Sequence, residues 1–255
     1  MSNGLAILLL LAGIQGTGAA TNDLACDGTP KAGALAAFAD TNRKYEPPPT
    51  DGPTQVEIGF QVLALSDIDF IGGRFRFEGY GDFVWCDPRQ AFDEAAEGRE
   101  MRVYYGEGTG PEDLWIADVS VANAVGATEV TERRLEIRSD GTIRISAFFN
   151  AVVAARFDLR KFPFDRQSLA IALESFTFNR DAVELRPVAD RVGHDKNLFL
   201  PEWRIDSVDS VTIEQTEVRD RVPFSRAVFS VNIERETGYY VLKLSIPLTL
   251  IVMLS

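Results

Sequence analysis

The chain has 255 residues, of which 45% are hydrophobic, 25% charged and 10% aromatic, a balance that fits a folded domain with a real core and excludes disordered, collagen-like and coiled-coil chains. Its 26 Lys and Arg face 38 Asp and Glu, a formal net charge of −12, so the field favours cations and no nucleic-acid partner is expected. A single histidine, His194, and two cysteines, Cys26 and Cys86, leave almost nothing for a zinc site or a histidine-dependent triad; no catalytic residue, metal or cofactor is expected, and the chain is not read as an enzyme.

In chain order, residues 5–14, LAILLLLAGI, form a short apolar run followed by the small residues Gly16, Gly18, Ala19 and Ala20. This reads as a secretory signal peptide over residues 1–20. Residues 21–49 read as a helical and proline-rich segment, with an Ala-rich helix over 31–45 stopped by Pro47, Pro48 and Pro49. From residue 50 the pattern becomes alternation. Val56, Ile58, Phe60 and Val62 are separated by Glu57, Gly59 and Gln61, and the same period returns at Phe75 and Phe77, at Ile143, Ile145, Ala147 and Phe149, at Leu169, Ile171 and Leu173, and at Phe229, Val231 and Ile233. Each reads as a strand with one buried face. Turn chemistry separates them: IGG at 71–73, EGTGP at 107–111, SDGT at 139–142 and FPFD at 162–165. Residues 50–238 are therefore expected to form one all-β sandwich. The final stretch, VLKLSIPLTLIVMLS at 241–255, is nearly all apolar and carries Pro247. Residues 239–255 read as the start of a first transmembrane helix, truncated against the roughly 20 residues a span needs. An export signal and a membrane entry place everything between them outside the cytoplasm.

Other features carry little chemistry. Residues 106–110, GEGTG, contain Glu107 and run into Pro111, Glu112 and Asp113 rather than a basic helix start, so they read as a polar hairpin loop and not a phosphate cradle. His194 reads as a solvated side chain in a polar loop. Asp93, Glu94, Glu97 and Glu100 read as a solvated face without the defined ligand spacing of a calcium loop. In an oxidising compartment Cys26 and Cys86 allow one disulfide closing about 60 residues; two free thiols, or a lipid on Cys26, are the alternatives.

Five local sequences carry a resemblance. Residues 155–169, ARFDLRKFPFDRQSL, hold Phe162, Pro163, Phe164, Asp165, Arg166 and Gln167, which resembles the F-P-F/M-D-x-Q signature loop of the pentameric ligand-gated ion channels, the Cys-loop receptor family. The cysteines that bracket that loop in animal receptors are replaced by Ala155 and Leu169, as in prokaryotic members. Trp85-Cys86-Asp87-Pro88-Arg89 resembles the family's W-x-D-x-R element. Trp115 through Asp118 and Asn123 resembles W-x-P-D…N, with Ala117 at the proline. Glu202-Trp203 matches the E-W before the ninth strand, and residues 235–248, RETGYYVLKLSIPL, resemble the pre-membrane segment. Order and spacing agree over roughly residues 50–255.

The resemblance implies an all-β, immunoglobulin-like sandwich of the Cys-loop-receptor type, serving as the extracellular ligand-binding domain of a bacterial channel. It implies a homo-oligomer, a pentamer, in the cell inner (plasma) membrane with this domain on the periplasmic or extracellular side. The ligand would be a small molecule, a proton or a divalent cation. A secreted or membrane-anchored small-molecule-binding sandwich is the alternative function. Carried over position by position, the aromatic ligand box would use Tyr80, Phe176, Phe178 and Phe224, with Ala122 where the family has a tyrosine. The junction that couples binding to the pore would use Asp69, the turn Phe162, Pro163, Phe164 and Asp165, and Arg235, with Arg235 paired to Asp165 and, more weakly, to Asp69.

Overall fold

Alternation of large apolar and polar residues over 10 to 16 positions gives long strands whose inward rows must be covered by a second layer. The computed structural model describes residues 26, 43–106, 108, 110–216, 222–240 and 246–254. The signal peptide and the helix expected over 31–45 lie outside the described residues, except for a 3₁₀ turn at Arg43–Tyr45.

Ten strands follow: β1 (Thr54–Asp69), β2 (Arg74–Cys86), β3 (Met101–Tyr105), β4 (Val119–Val121), β5 (Glu129–Arg138), β6 (Thr142–Ala154), β7 (Arg166–Ser175), β8 (Val183–His194), β9 (Trp203–Thr216) and β10 (Pro223–Arg235). They make two sheets, a six-stranded one in the order β3-β5-β6-β2-β1-β8 and a four-stranded one in the order β4-β7-β10-β9. All pairings are antiparallel except β1 with β8. The architecture is the expected β-sandwich. Val56, Ile58, Phe60 and Val62 face Leu169, Ile171, Phe229 and Val231 across the interior, all without solvent exposure. The rings of Phe60 and Phe229 stack at 4.9 Å and join the two sheets.

Period-two reading does not single out β3, β4, β5, β8 or β9. In β5 the pattern is broken by a bulge between Thr131 and Arg134, where Glu132 takes φ 51°. His194 closes β8 opposite Val62 and lies in a strand end, not in a loop as expected. Its Nδ1 sits 2.8 Å from the Asp195 carbonyl.

The acidic cluster is built into a single helical turn, α1 (Glu94–Glu97), where Asp93 accepts from Ala95 N and Ala96 N as the cap and Glu97 pairs with Arg102 and Arg99. The β5–β6 hairpin requires Gly141. Its φ is +85°, and a Cβ there would lie 2.7 Å from the Asp87 carbonyl oxygen. Beside it, Asp87 and Arg89 form a buried two-pronged pair, both bonds 2.8 Å, and Arg89 also donates to the Glu46 carbonyl at 3.2 Å. Cys86 is bonded to Cys26, with Cα atoms 5.4 Å apart. After β10 come α2 (Gly238–Tyr240) and α3 (Ile246–Leu254), the latter apolar and exposed throughout. No helix among the described residues is long and apolar enough to cross a membrane.

Candidate functional site

Strand direction decides which functional residues can meet. β7 and β10 run antiparallel with Arg166 opposite Glu234 and Glu174 opposite Arg226. The residue before β7, Asp165, therefore lies beside the last residue of β10, Arg235. Phe176, just after β7, lies level with Phe224 at the start of β10. The two groups sit at opposite ends of the four-stranded sheet, roughly 35 Å apart along β10.

At the first end the Arg235 guanidinium grips Asp165 with two bonds, Nε to Oδ1 at 2.7 Å and Nη2 to Oδ2 at 3.2 Å. Their backbones are also bonded, Arg235 N to Asp165 O at 3.2 Å. The two side chains are 3% and 1% exposed. Gln167 Nε2 donates to the same Asp165 Oδ2 at 2.8 Å and to the Asp158 carbonyl at 2.9 Å, which fixes the carboxylate from the other side. An aromatic cage encloses the cation: Trp203 at 4.1 Å, Phe162 at 5.0 Å, Phe70 at 5.2 Å and Tyr240 at 5.7 Å from ring centre to Cζ. The Tyr240 hydroxyl donates to Glu202 at 2.9 Å, and Glu202 lies 3.8 Å from Arg235. Within the turn, Phe162 and Phe164 are exposed, whereas Asp165 is buried. The turn thus presents apolar rings outward and its charge inward, and the Phe162–Pro163 bond is cis.

Burial opposes the charged form of Asp165, but hydrogen bonds from Arg235 and Gln167 and the charge of Arg235 outweigh it, so the pKa falls below the ordinary carboxylate value. Burial likewise opposes the charge on Arg235, and Asp165 more than compensates, raising its pKa.

Asp69 does not join this cluster. Its carboxylate accepts from Gly72 N at 2.7 Å and Arg74 Nε at 3.2 Å, so it is satisfied inside its own hairpin turn and is no second partner for Arg235. The Gly72 bond is the largest influence holding its pKa down. The residue the β1–β2 turn delivers to the cage is Phe70, stacked on Trp203 at 5.9 Å. Phe70, Trp203 and Tyr240 were not foreseen as cage walls. The available signal was that Trp203 and Tyr240 lie within matched motifs and Phe70 adjoins Asp69; which ring faces Arg235 depends on pairing between distant strands.

At the other end, Phe176 is 56% exposed and Phe224 is 5% exposed. Phe178 is half-buried with its ring 5.4 Å from Trp115. The Arg180 N–H donates to the Pro223 carbonyl at 2.9 Å, tying the loop to the start of β10. Tyr80 belongs to the other sheet, midway along β2 opposite Gln61 and Phe148, and is exposed. Within one chain the four aromatics form no shared box. Phe178 and Phe224 are packed inward, while Phe176 and Tyr80 reach solvent from different sheets.

The remaining motif residues are structural. Trp115 is fully buried, its ring perpendicular to that of Trp85 at 5.8 Å. Asn123 donates to the carbonyls of Ala154 and Ala170 and accepts from Ala172 N, tying β4 to β6 and β7.

Comparison with known proteins agrees with this arrangement. Residues 36–237 match the profile of the neurotransmitter-gated ion-channel ligand binding domain. The chain is similar to a proton-gated ion channel of Gloeobacter violaceus, 26% identical over 210 residues, covering 82% of this chain and 57% of that protein. It is similar to pH-sensitive chloride channel 2 of Drosophila melanogaster, 27% identical over 217 residues, covering 80% and 41%. It is also similar to a gamma-aminobutyric acid receptor subunit beta of Lymnaea stagnalis, 26% identical over 220 residues, covering 81% and 44%. The chain spans about half the length of these relatives.

Proposed function

The chain belongs to the neurotransmitter-gated ion-channel ligand-binding domain family, and from that premise we propose that it is the sensing domain of a pentameric ligand-gated channel in a bacterial inner membrane. Five copies would ring an axial pathway on the outer side of the membrane, with ligand held between neighbours. The observation that carries this reading is the buried Arg235–Asp165 pair in its aromatic cage, at the end of the sandwich from which the chain runs on into an apolar segment. An isolated buried charge is strongly unfavourable, so this pair locks the signature turn to the last strand. Tension along β10 reaches the turn without a flexible step.

Phe176 and Tyr80 are proposed as the ligand-facing aromatics, one contributed by each of two adjacent copies, with Phe178 and Phe224 supporting the loop from behind. The names of two relatives, a proton-gated and a pH-sensitive channel, favour protons as the stimulus over an amine or a divalent cation. A stimulus opens the pore only if it binds one arrangement of the ring more tightly than the other.

Recording currents from the full-length channel during pH steps tests the reading. Arg235→Ala should abolish gating or assembly, and Arg235→Lys, which keeps charge but not the two-pronged grip, should restore assembly with impaired gating. An Arg235→Ala channel that assembles and gates like the unmodified one would overturn it.

A further inference from the structure

We propose that Phe199, with Lys196 beside it, anchors the loop between β8 and β9 in the phospholipid headgroup layer of the membrane that the chain enters. Each copy would then hold the bilayer at a point separate from its own membrane-entering segment. The proposal rests on the channel reading for the presence of that membrane, and goes beyond it in assigning a lipid partner to this loop.

The ring is held outward by its neighbours. Leu200 is 5% exposed and Leu198 packs against the core, whereas Phe199 between them is 78% exposed. The backbone on either side is fixed: Leu198 N donates to the Asp195 carbonyl at 3.0 Å, Trp203 N to the Leu200 carbonyl at 3.1 Å, and Glu236 N to the Glu202 carbonyl at 2.8 Å. With both flanking leucines turned inward, Phe199 cannot fold onto the core without removing one of them from it. A single exposed ring on a protein surface is ordinary. The position of this one is not.

Trp203 pairs with Arg235, and β9 is antiparallel to β10, so the residues before Trp203 run in the same direction as those after Arg235, toward α2 and the apolar, exposed α3. Ile71 and Phe164, 101% and 66% exposed, stand at the same end, in the turns that bring Phe70 and Asp165 to the Arg235 cage. Phe199 differs from them in its lateral place. β8 and β9 are edge strands, one of each sheet, so their loop crosses at the rim of the sandwich and not beneath β7 and β10, where the chain leaves. The charges of the loop agree with a lipid surface. The Asp195 carboxylate accepts from Asn197 N at 2.6 Å and that of Glu202 from the Tyr240 hydroxyl at 2.9 Å, so both acids are engaged within the chain, while Lys196 is exposed. An aromatic ring at headgroup level beside a lysine, whose stem lies along apolar surface and whose ammonium reaches phosphate, is the pattern of an interfacial anchor.

The test uses the full-length channel in vesicles of phosphatidylcholine, either plain or brominated high on the acyl chains, with flotation to verify insertion. Phe199→Trp and Val211→Trp each add an indole at an exposed position, and the fluorescence of the unmodified protein is subtracted. Val211 is 53% exposed and lies in β9 roughly 26 Å beyond Trp203, away from the membrane end. The indole at 199 should lose most of its intensity in brominated vesicles and be shielded from iodide in the surrounding water. The indole at 211 should respond to iodide and not to bromine. Lys196→Glu in the Phe199→Trp protein should weaken the bromine quenching, and an unchanged signal would overturn the part assigned to Lys196. An indole at 199 that iodide quenches and bromine does not lies in water; one that neither quenches lies against protein, the pore segment or a neighbouring copy. Either result overturns the anchor. Protein that floats while residue 199 stays unquenched overturns the anchor alone, whereas protein that does not float with the vesicles overturns the channel reading and the anchor with it.

Discussion

Asp165 and Arg235 derive their importance from burial. A carboxylate in water loses little when neutralised, but Asp165 → Asn would leave the Arg235 guanidinium without its counter-charge inside a cage of four rings. The expected loss is about 3–5 kcal/mol. Asp69→Asn, in a solvent-exposed turn, should lose no more than about 1 kcal/mol. Urea unfolding of both variants checks the contrast, and equal midpoints would contradict the buried-pair account. The pH dependence has a defined sign. A carboxylate whose folded pKa is depressed adds stability that is complete above its unfolded value, near about 4, and lost as pH falls through the lower folded value. Unfolding midpoints should therefore hold from neutral pH to about 5 and drop below about 4, with the drop reduced in Asp165→Asn. A depressed carboxylate remains ionised between pH 5 and 7, so any proton sensing in that range belongs to another group.

At the scale of elements, the sheets are held by strand pairing and the N-terminal segment by a covalent tie. Cys26 and Cys86 close a loop across a separation of 60 residues, for which the chain-entropy account gives about 4 kcal/mol. Denatured, unreduced protein should show no thiol reactive toward a labelling reagent, and Cys26→Ser with Cys86→Ser should lower stability by about that amount. Two labelled thiols would refute the bond. Strand β10 links the two ends of the four-stranded sheet, and its alternation, with Phe229, Val231 and Ile233 inward, was readable from the chain, while the structure extends the same row to Ala227. Strand β5 was not, because Glu132 and Arg133 interrupt the inward row where the bulge adds a residue. In β8 the parallel register with β1 shifts between Ile58 and Phe60, and Pro187 sits within it, so no simple alternation marks it.

At the scale of the whole molecule, half of the proposed ligand site must come from a second copy. Phe176 and Tyr80 stand on different sheets of one chain, so neither can complete a box alone. The detergent-extracted protein should therefore sediment at five times the mass of its mature chain, detergent subtracted. A monomer that retains ligand binding would remove the reason for placing the site between copies.

The sequence by itself determined the sandwich and its five most regular strands, because a period of two buries one face. The signature turn and the pairing of Asp165 with Arg235 were legible through the resemblance to the channel family, whose motif order places the turn before one strand and the arginine at the end of another. The partners that complete the cage were decided by tertiary structure alone. Asp69 turned inward to its own hairpin through Gly72 and Arg74, and Phe70 took the position beside Arg235. Phe224 and Phe178 became packing residues because the loop before β8 folds back onto the start of β10. Which of two adjacent side chains reaches a distant charge depends on strand twist and on the bulges of β1, and the identities of the residues do not encode these one at a time.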